Sequence, residues 1–204
     1  MRIGIVACEI FKDELERITE GDADIVHKEY LEFALHIRPQ QLRETVVSKA
    51  NELKGKVDLV FLGYCYCQSL MGVTEDIELP AEMIHTDDCI GALLSPERYA
   101  EEKRVCAGTW FNSPGWAIRG TEGAIRELEL DKADGIDPMV LLKMLFEGYS
   151  RCLFIDTGSP EKEKHLSESQ TFAQELGLRH ECTVGSLDML QSSLRRAKEK
   201  TIQE

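Results

Sequence analysis

Residues 57–70, VDLVFLGYCYCQSL, carry an apolar run that stops at two cysteines one residue apart. From Leu59 to Leu62 no position is polar. A strand that is apolar on both faces is covered on both faces, which is the pattern of a parallel sheet. Parallel neighbours need crossover connections, and the flanking sequence supplies them. Upstream, RPQQLRETVVSKANEL (38–53) keeps Leu42, Val46, Ala50 and Leu53 on one helical face, with Pro39 in the first turn and Lys54–Gly55 as a stop. Downstream, AEMIH (81–85) reads as a short strand, and DDCIGALLSPERYAEEK (87–103) as a helix broken or restarted at Ser95–Pro96.

The alternation extends in both directions. RIGIVAC (2–8) reads as a first strand, EIFKDELERI (9–18) as a helix and HKEYLEFAL (27–35) as a strand. CAGTWFNSPGW (106–116) is a strand running into a Pro-Gly turn. DPMVLLKMLFEGY (137–149) is a helix with Asp137 as cap and Pro138 at its first position. RCLFID (151–156) is a buried strand, EKEKHLSESQTFAQELGL (161–178) an amphipathic helix stopped by Gly177, RHECTV (179–184) a last strand and SLDMLQSSLRRAKEK (186–200) a last helix. Strands alternating with helices predict an α/β fold, a single domain over 1–204 with a mostly parallel sheet flanked by helices. Residues 104–136 read as an insertion or lid, and 195–204 as a frayed tail.

The chain has 204 residues and a net charge of −13. So acidic a surface argues against nucleic acid, whose affinity rests on Lys and Arg neutralising phosphates. No apolar run reaches the ~18 residues of a membrane span. IVAC resembles a lipoprotein box, but only seven residues precede Cys8, too few for a charged and then an apolar leader region. The expectation is a cytoplasmic protein with a small-molecule substrate. In a reducing compartment seven cysteines, an odd number, point to metal binding or catalysis before disulfides.

In an open α/β sheet the site lies outside the carboxyl ends of the strands. Cys8 closes the first strand, Cys65 and Cys67 close the strand at 57–64, and Cys89 follows MIHTDD at a helix start. Cys106, Cys152 and Cys182 fall at the start or middle of apolar strands, where a free cysteine is ordinarily a small buried hydrophobe. A thiol at a strand-to-helix turn is expected to ionise readily. Three convergent thiolates repel one another without a cation, so convergence implies a metal or cluster. Sulfur selects zinc, copper(I) or iron–sulfur clusters, and three ligands leave one coordination position open. No C-x-x-C pair occurs, and spacing alone leaves simple packing of these cysteines as the alternative.

ACE after the first strand, LGYCYC, DDCIGALLSPERY, GTWFNSPGW and LFIDTG, in that order, resemble the family called domain of unknown function 1638. The resemblance runs from Arg2 to about Leu194. It implies an anaerobic setting, since such proteins occur in methanogens and anaerobic bacteria, often beside corrinoid methyltransferase systems. The family pattern Gly-Tyr-Gly-x-Cys places its cysteine at Cys67, with Cys65 standing where glycine is usual. The resemblance therefore implies Cys8, Cys67 and Cys89 as ligands and leaves Cys65 as an extra ligand or a tolerated neighbour. His36 matches a family Leu-His and is a candidate ligand or acid–base group. Glu9 is a candidate partner behind Cys8, and Asp88 either orients Cys89 or caps its helix. Trp110, Phe111 and Trp116 would wall a planar cofactor or form core. His27, His165 and His180 read as surface residues. No G-x-G-x-x-G, P-loop or G-x-S-x-G pattern is present.

The leading expectation is an iron–sulfur protein, with a 4Fe-4S cluster favoured over zinc. Its open site would serve a desulfidase-like or group-transfer reaction. The alternatives are a metal or cofactor delivery protein for a corrinoid methyltransferase partner, and a metal-free thiol enzyme with Cys67 or Cys89 as nucleophile and His36 as base.

Overall fold

The computed structural model describes residues 1–32, 37–133 and 135–200. They form two compact units, the first comprising Met1–Ala92 and the chain from Ser186 onward, the second Leu93–Gly185. Every strand pairing is parallel. The expected α/β architecture is present, with its strands divided between two sheets.

The sheet of the first unit has the order β2-β1-β3-β4, made of β1 (Ile3–Cys8), β2 (Ile25–Leu31), β3 (Leu59–Cys65) and β4 (Ala81–Ile84). β1 and β3 are buried along their whole length, as the apolar run requires. Their register pairs Ile3 with Leu59 and continues to Ala7 with Gly63. α1 (Lys12–Ile18) joins β1 to β2, and α2 (Pro39–Asn51) leads into β3. Two glycines reveal which face each covers. A Cβ on Gly63 would meet Ala7 and Leu15 of α1, whereas one on Gly4 would meet Leu53 and Val57, just past α2. The two helices thus lie on opposite faces. α3 (Cys89–Leu94) follows β4. β2 begins at Ile25, two residues ahead of expectation, and ends at Leu31.

The last helix, α9 (Asp188–Lys200), buries Leu190, Leu194 and Ala197 and packs on β4. Glu82 of β4 is 2% exposed. Its carboxylate meets His85 at 2.7 Å, Arg196 at 3.6 Å and Lys200. Unpaired, such a carboxylate would cost several kcal/mol, so Arg196 and Lys200 hold α9 in place. Lys198 adds bridges to Asp22 at 2.6 Å and Asp24 at 3.0 Å. Residues 195–200, expected to fray, are therefore helical and docked; 201–204 lie outside the described residues.

The second unit contains α4 (Pro96–Val105), β5 (Thr109–Asn112), α5 (Pro114–Ala117), α6 (Gly120–Glu127), α7 (Pro138–Leu145), β6 (Arg151–Asp156), α8 (Lys162–Leu176) and β7 (Arg179–Val184), with sheet order β5-β6-β7. Ser95 takes φ 69° and its hydroxyl accepts from the Arg98 amide, which ends α3 and caps α4 at the expected break. Asp137 caps α7 through the Met139 amide at 2.8 Å. The segment 104–136 supplies the edge strand β5 and α6, whose Ala124 joins a core of Leu142, Phe146, Cys152 and Phe172. Arg151 is 2% exposed and spans Glu102 at 2.9 Å and Glu181 at 3.2 Å, with Thr109 accepting from it at 2.8 Å.

Candidate functional site

The order β2-β1-β3-β4 reverses direction between β1 and β3. The chain leaves β1 for β2 on the α1 face and returns to β3 by way of the α2 face. That reversal singles out the carboxyl ends of β1 and β3, the place where open α/β sheets ordinarily hold ligands. Cys8 and Cys65 are the last residues of these two strands.

Beyond Cys65 the chain turns tightly, the Cys67 amide donating to the Cys65 carbonyl at 2.7 Å. The Tyr66 amide donates to the Thr86 carbonyl at 2.8 Å, stitching this turn to the segment that follows β4. Pairing of β3 with β4 slips between Leu62 and Cys65, an irregularity of the kind that re-aims side chains. On the β4 side, the Thr86 hydroxyl donates to the Asp88 carbonyl at 3.0 Å, and the Asp88 carboxylate accepts from the Gly91 amide at 2.8 Å. Asp88 is therefore the cap of α3, which sets Cys89 at the first position of that helix.

These turns bring Cys8, Cys65 and Cys89 within electrostatic reach of one another, and Cys67 within reach of Cys65. Burial pushes Cys65 up to about 12, with Asp88, Cys67 and Cys8 adding repulsion and a Thr86 hydrogen bond opposing it. Cys89 is raised well above the ordinary thiol range, first by burial and then by Cys65, Asp88 and Cys8. The direction at Cys89 is opposite to the easier ionisation expected of a thiol at a helix start, and its first cause is loss of water. Cys8, Cys65 and Cys89 are linked pairwise; Cys67 couples to Cys65 and to Tyr64. Among the described residues, no three His, Cys, Asp or Glu side chains are gathered closely enough to hold a single metal ion.

Tyr64 is the group that the sequence reading missed. It is 3% exposed, and its hydroxyl has no hydrogen-bond partner. Since Ala7 pairs with Gly63, Cys8 and Tyr64 come next in register and share the α2 face. Burial raises the Tyr64 phenol, and Cys8, Glu9 and Cys67 raise it further. The period-two alternation around Cys65 hinted at this, but the partner on that face was not readable before the strand register was known.

The other candidates sort differently. Glu9 opens the short 3-10 turn after β1 and acts electrostatically on Tyr64. His36 lies outside the described residues. His85 is engaged by Glu82 at 2.7 Å and stacks edgewise on Tyr66 with ring centroids 5.1 Å apart. Trp116 belongs to the second unit, where it meets Trp110 edge-on at 5.2 Å, and Trp110 in turn stacks on Phe172 at 5.7 Å. This is core packing. His165, expected at the surface, is 3% exposed, and the half-buried His180 sits 3.0 Å from Ser169 Oγ. Cys152 is buried as expected, but Cys106 is half-exposed and Cys182 exposed. Cys106 misses burial because it ends α4 ahead of the strand, where hydrogen bonds from Ser150 and Thr109 lower its pKa.

Among the described residues no helix is long and apolar enough to cross a membrane. No curated protein and no solved structure matches the chain. One family model matches residues 30–194, which takes in Cys65, Cys67, Asp88 and Cys89 and leaves out Cys8 and Glu9. That match spans well over half of the sequence, and the chain belongs to the family described as "Protein of unknown function (DUF1638)".

Proposed function

We propose that three of the four thiols Cys8, Cys65, Cys67 and Cys89 ligate an iron–sulfur cluster whose open iron binds a small anionic substrate. The observation that carries this reading is electrostatic: thiols from three separate chain segments, at the carboxyl ends of β1 and β3 and the start of α3, lie close enough to raise the pKa of Cys65 and Cys89. A bound cation reverses that penalty, since coordinated thiols deprotonate outright. A cluster would attach each cysteine to a different iron.

When bound, such a cluster with three protein ligands supplies one iron as a Lewis acid. The chain's own groups do the rest. β1 and β3 fix Cys8 and Cys65; the Asp88 cap fixes Cys89 at the start of α3. Cys67, half-exposed on its turn, is the thiol best placed to exchange with substrate. The reading of Cys67 or Cys89 as the nucleophile of a metal-free thiol enzyme gains no support at Cys89. Such a nucleophile needs a depressed pKa, and Cys89 is raised.

The test is purification of the full chain under strict anaerobiosis, with iron, zinc, cobalt and acid-labile sulfide measured beside the visible spectrum. Iron and sulfide in equal, roughly four-per-chain amounts support the cluster. One zinc per colourless chain keeps the thiol site and rejects the cluster. Metal-free protein that takes up neither iron nor zinc on reconstitution overturns the site.

A further inference from the structure

A buried hydroxyl without a partner is a standing cost, and the Tyr64 hydroxyl, one residue before Cys65, has none among the described residues. Tyr64 is 3% exposed, so bulk water does not satisfy it. Its strand position is fixed by Gly63, whose close approach to Ala7 leaves Tyr64 and Cys8 as the following neighbours on one face. The groups acting on its hydroxyl are Cys8, Cys67 and Glu9. A phenol at neutral pH is a donor, with an ordinary pKa near ~10. What is absent is an acceptor, and the nearby acceptors that a bound centre would create are anionic sulfurs.

Resting on the thiol-site reading above, we propose that the Tyr64 hydroxyl donates a hydrogen bond to a sulfur of the bound centre, a cysteine thiolate or an inorganic sulfide, and sets its reduction potential. Hydrogen bonds to cluster sulfurs stabilise the more negative, reduced state and raise the potential. Tyr64 is thus a positioning and tuning residue. The phenol's rigid ring holds the donor in place before the ligand arrives, so little ordering is lost on binding.

The experiment is Tyr64→Phe in the full chain, reconstituted anaerobically with ferrous iron and sulfide and compared with wild type. Two readouts should move in opposite senses. The metal-free variant should melt at a higher temperature than wild type, because an unpartnered buried hydroxyl has been removed. The reconstituted variant should hold the same iron and sulfide but have a reduction equilibrium about tenfold less favourable, ~59 mV lower for one electron. A structural role for the hydroxyl would instead lower the melting temperature and leave the potential unchanged. Wild type and variant with equal potentials overturn the tuning role while the thiol site stands. Wild type that takes up no iron or sulfide overturns the thiol site itself, and this inference with it.

Discussion

Gly63 is where the site's geometry is most exposed to a single substitution. A Cβ placed there lies 2.3 Å from the Ala7 Cβ, 3.2 Å from the Ala7 Cα and 2.9 Å from Leu15 Cδ1. Two carbons rest at ~3.5 Å, so Gly63→Ala forces β1 and β3 apart by about 1 Å, one residue before Tyr64 and two before Cys65. Overpacking of this kind costs about 1–3 kcal/mol. Loss of glycine's extra freedom in the unfolded chain returns ~0.5–1 kcal/mol. The net is a destabilisation of about 1–2 kcal/mol, or ~2–8 °C in melting temperature for a chain of this size. The worst contact is between two methyl groups, so removing the other one should relieve it. In Gly63→Ala/Ala7→Gly only the Ala7 Cα and the movable end of Leu15 remain in the way. The double variant should recover at least ~1 kcal/mol relative to the sum of the single variants. Thermal melting of the four proteins, followed by far-ultraviolet circular dichroism, measures that coupling. Gly63→Ala melting at the wild-type temperature, or an additive double variant, would refute the close approach of β1 and β3 on which the site is built.

Other expectations follow from the same contacts. At pH 8 a thiol with a pKa of about 12 is ~10⁻⁴ ionised, against about a quarter for a free cysteine near ~8.5. In metal-free protein Cys65 should alkylate at least ~100-fold more slowly than Cys106, which is half-exposed and has a lowered pKa; equal rates by mass-spectrometric mapping would sink the burial argument. Glu127 is pushed up to about 8, by burial first, with Arg119 opposing. A raised carboxyl contributes stability that is complete below its unfolded pKa and is lost as pH rises through about 8. Glu127→Gln should therefore melt progressively higher than wild type as pH goes from 5 to 8, and a constant difference would contradict the shift. Arg151→Met should cost about 2–3 kcal/mol in denaturant unfolding. That is below the ~3–5 of a fully buried pair, because Glu102 and Glu181 keep 23% and 38% of their side chains in water; a neutral outcome would show that the ion pairs do not hold β6.

Much of the architecture was written locally. The run LVFL with no polar face and the spacing of Leu42, Val46 and Ala50 report burial and period directly, and both elements formed where expected. Pro138 and Asp137 mark a helix start by chemistry that acts over a few residues. The cysteines at strand ends were legible for the same reason, since the fold class alone sends strand ends to one edge. Cys106 and His165 were misread because exposure is not local. A half-turn of helix or a neighbouring strand decides whether such a residue meets water, and the sequence does not say which neighbour arrives.

By itself, then, the sequence determined the parallel α/β class, the places where strands stop, and the supply of thiols at those stops, because these depend on interactions within a few residues along the chain. Only the tertiary structure decided that the strands divide into two sheets, and that β1 and β3 are neighbours with α1 and α2 on opposite faces. Likewise only the register places Tyr64 beside Cys8, and only the surroundings push the Cys65 and Cys89 thiols above the ordinary range. Those outcomes depend on contacts between residues dozens of positions apart and on how much water they exclude, quantities that no local pattern encodes.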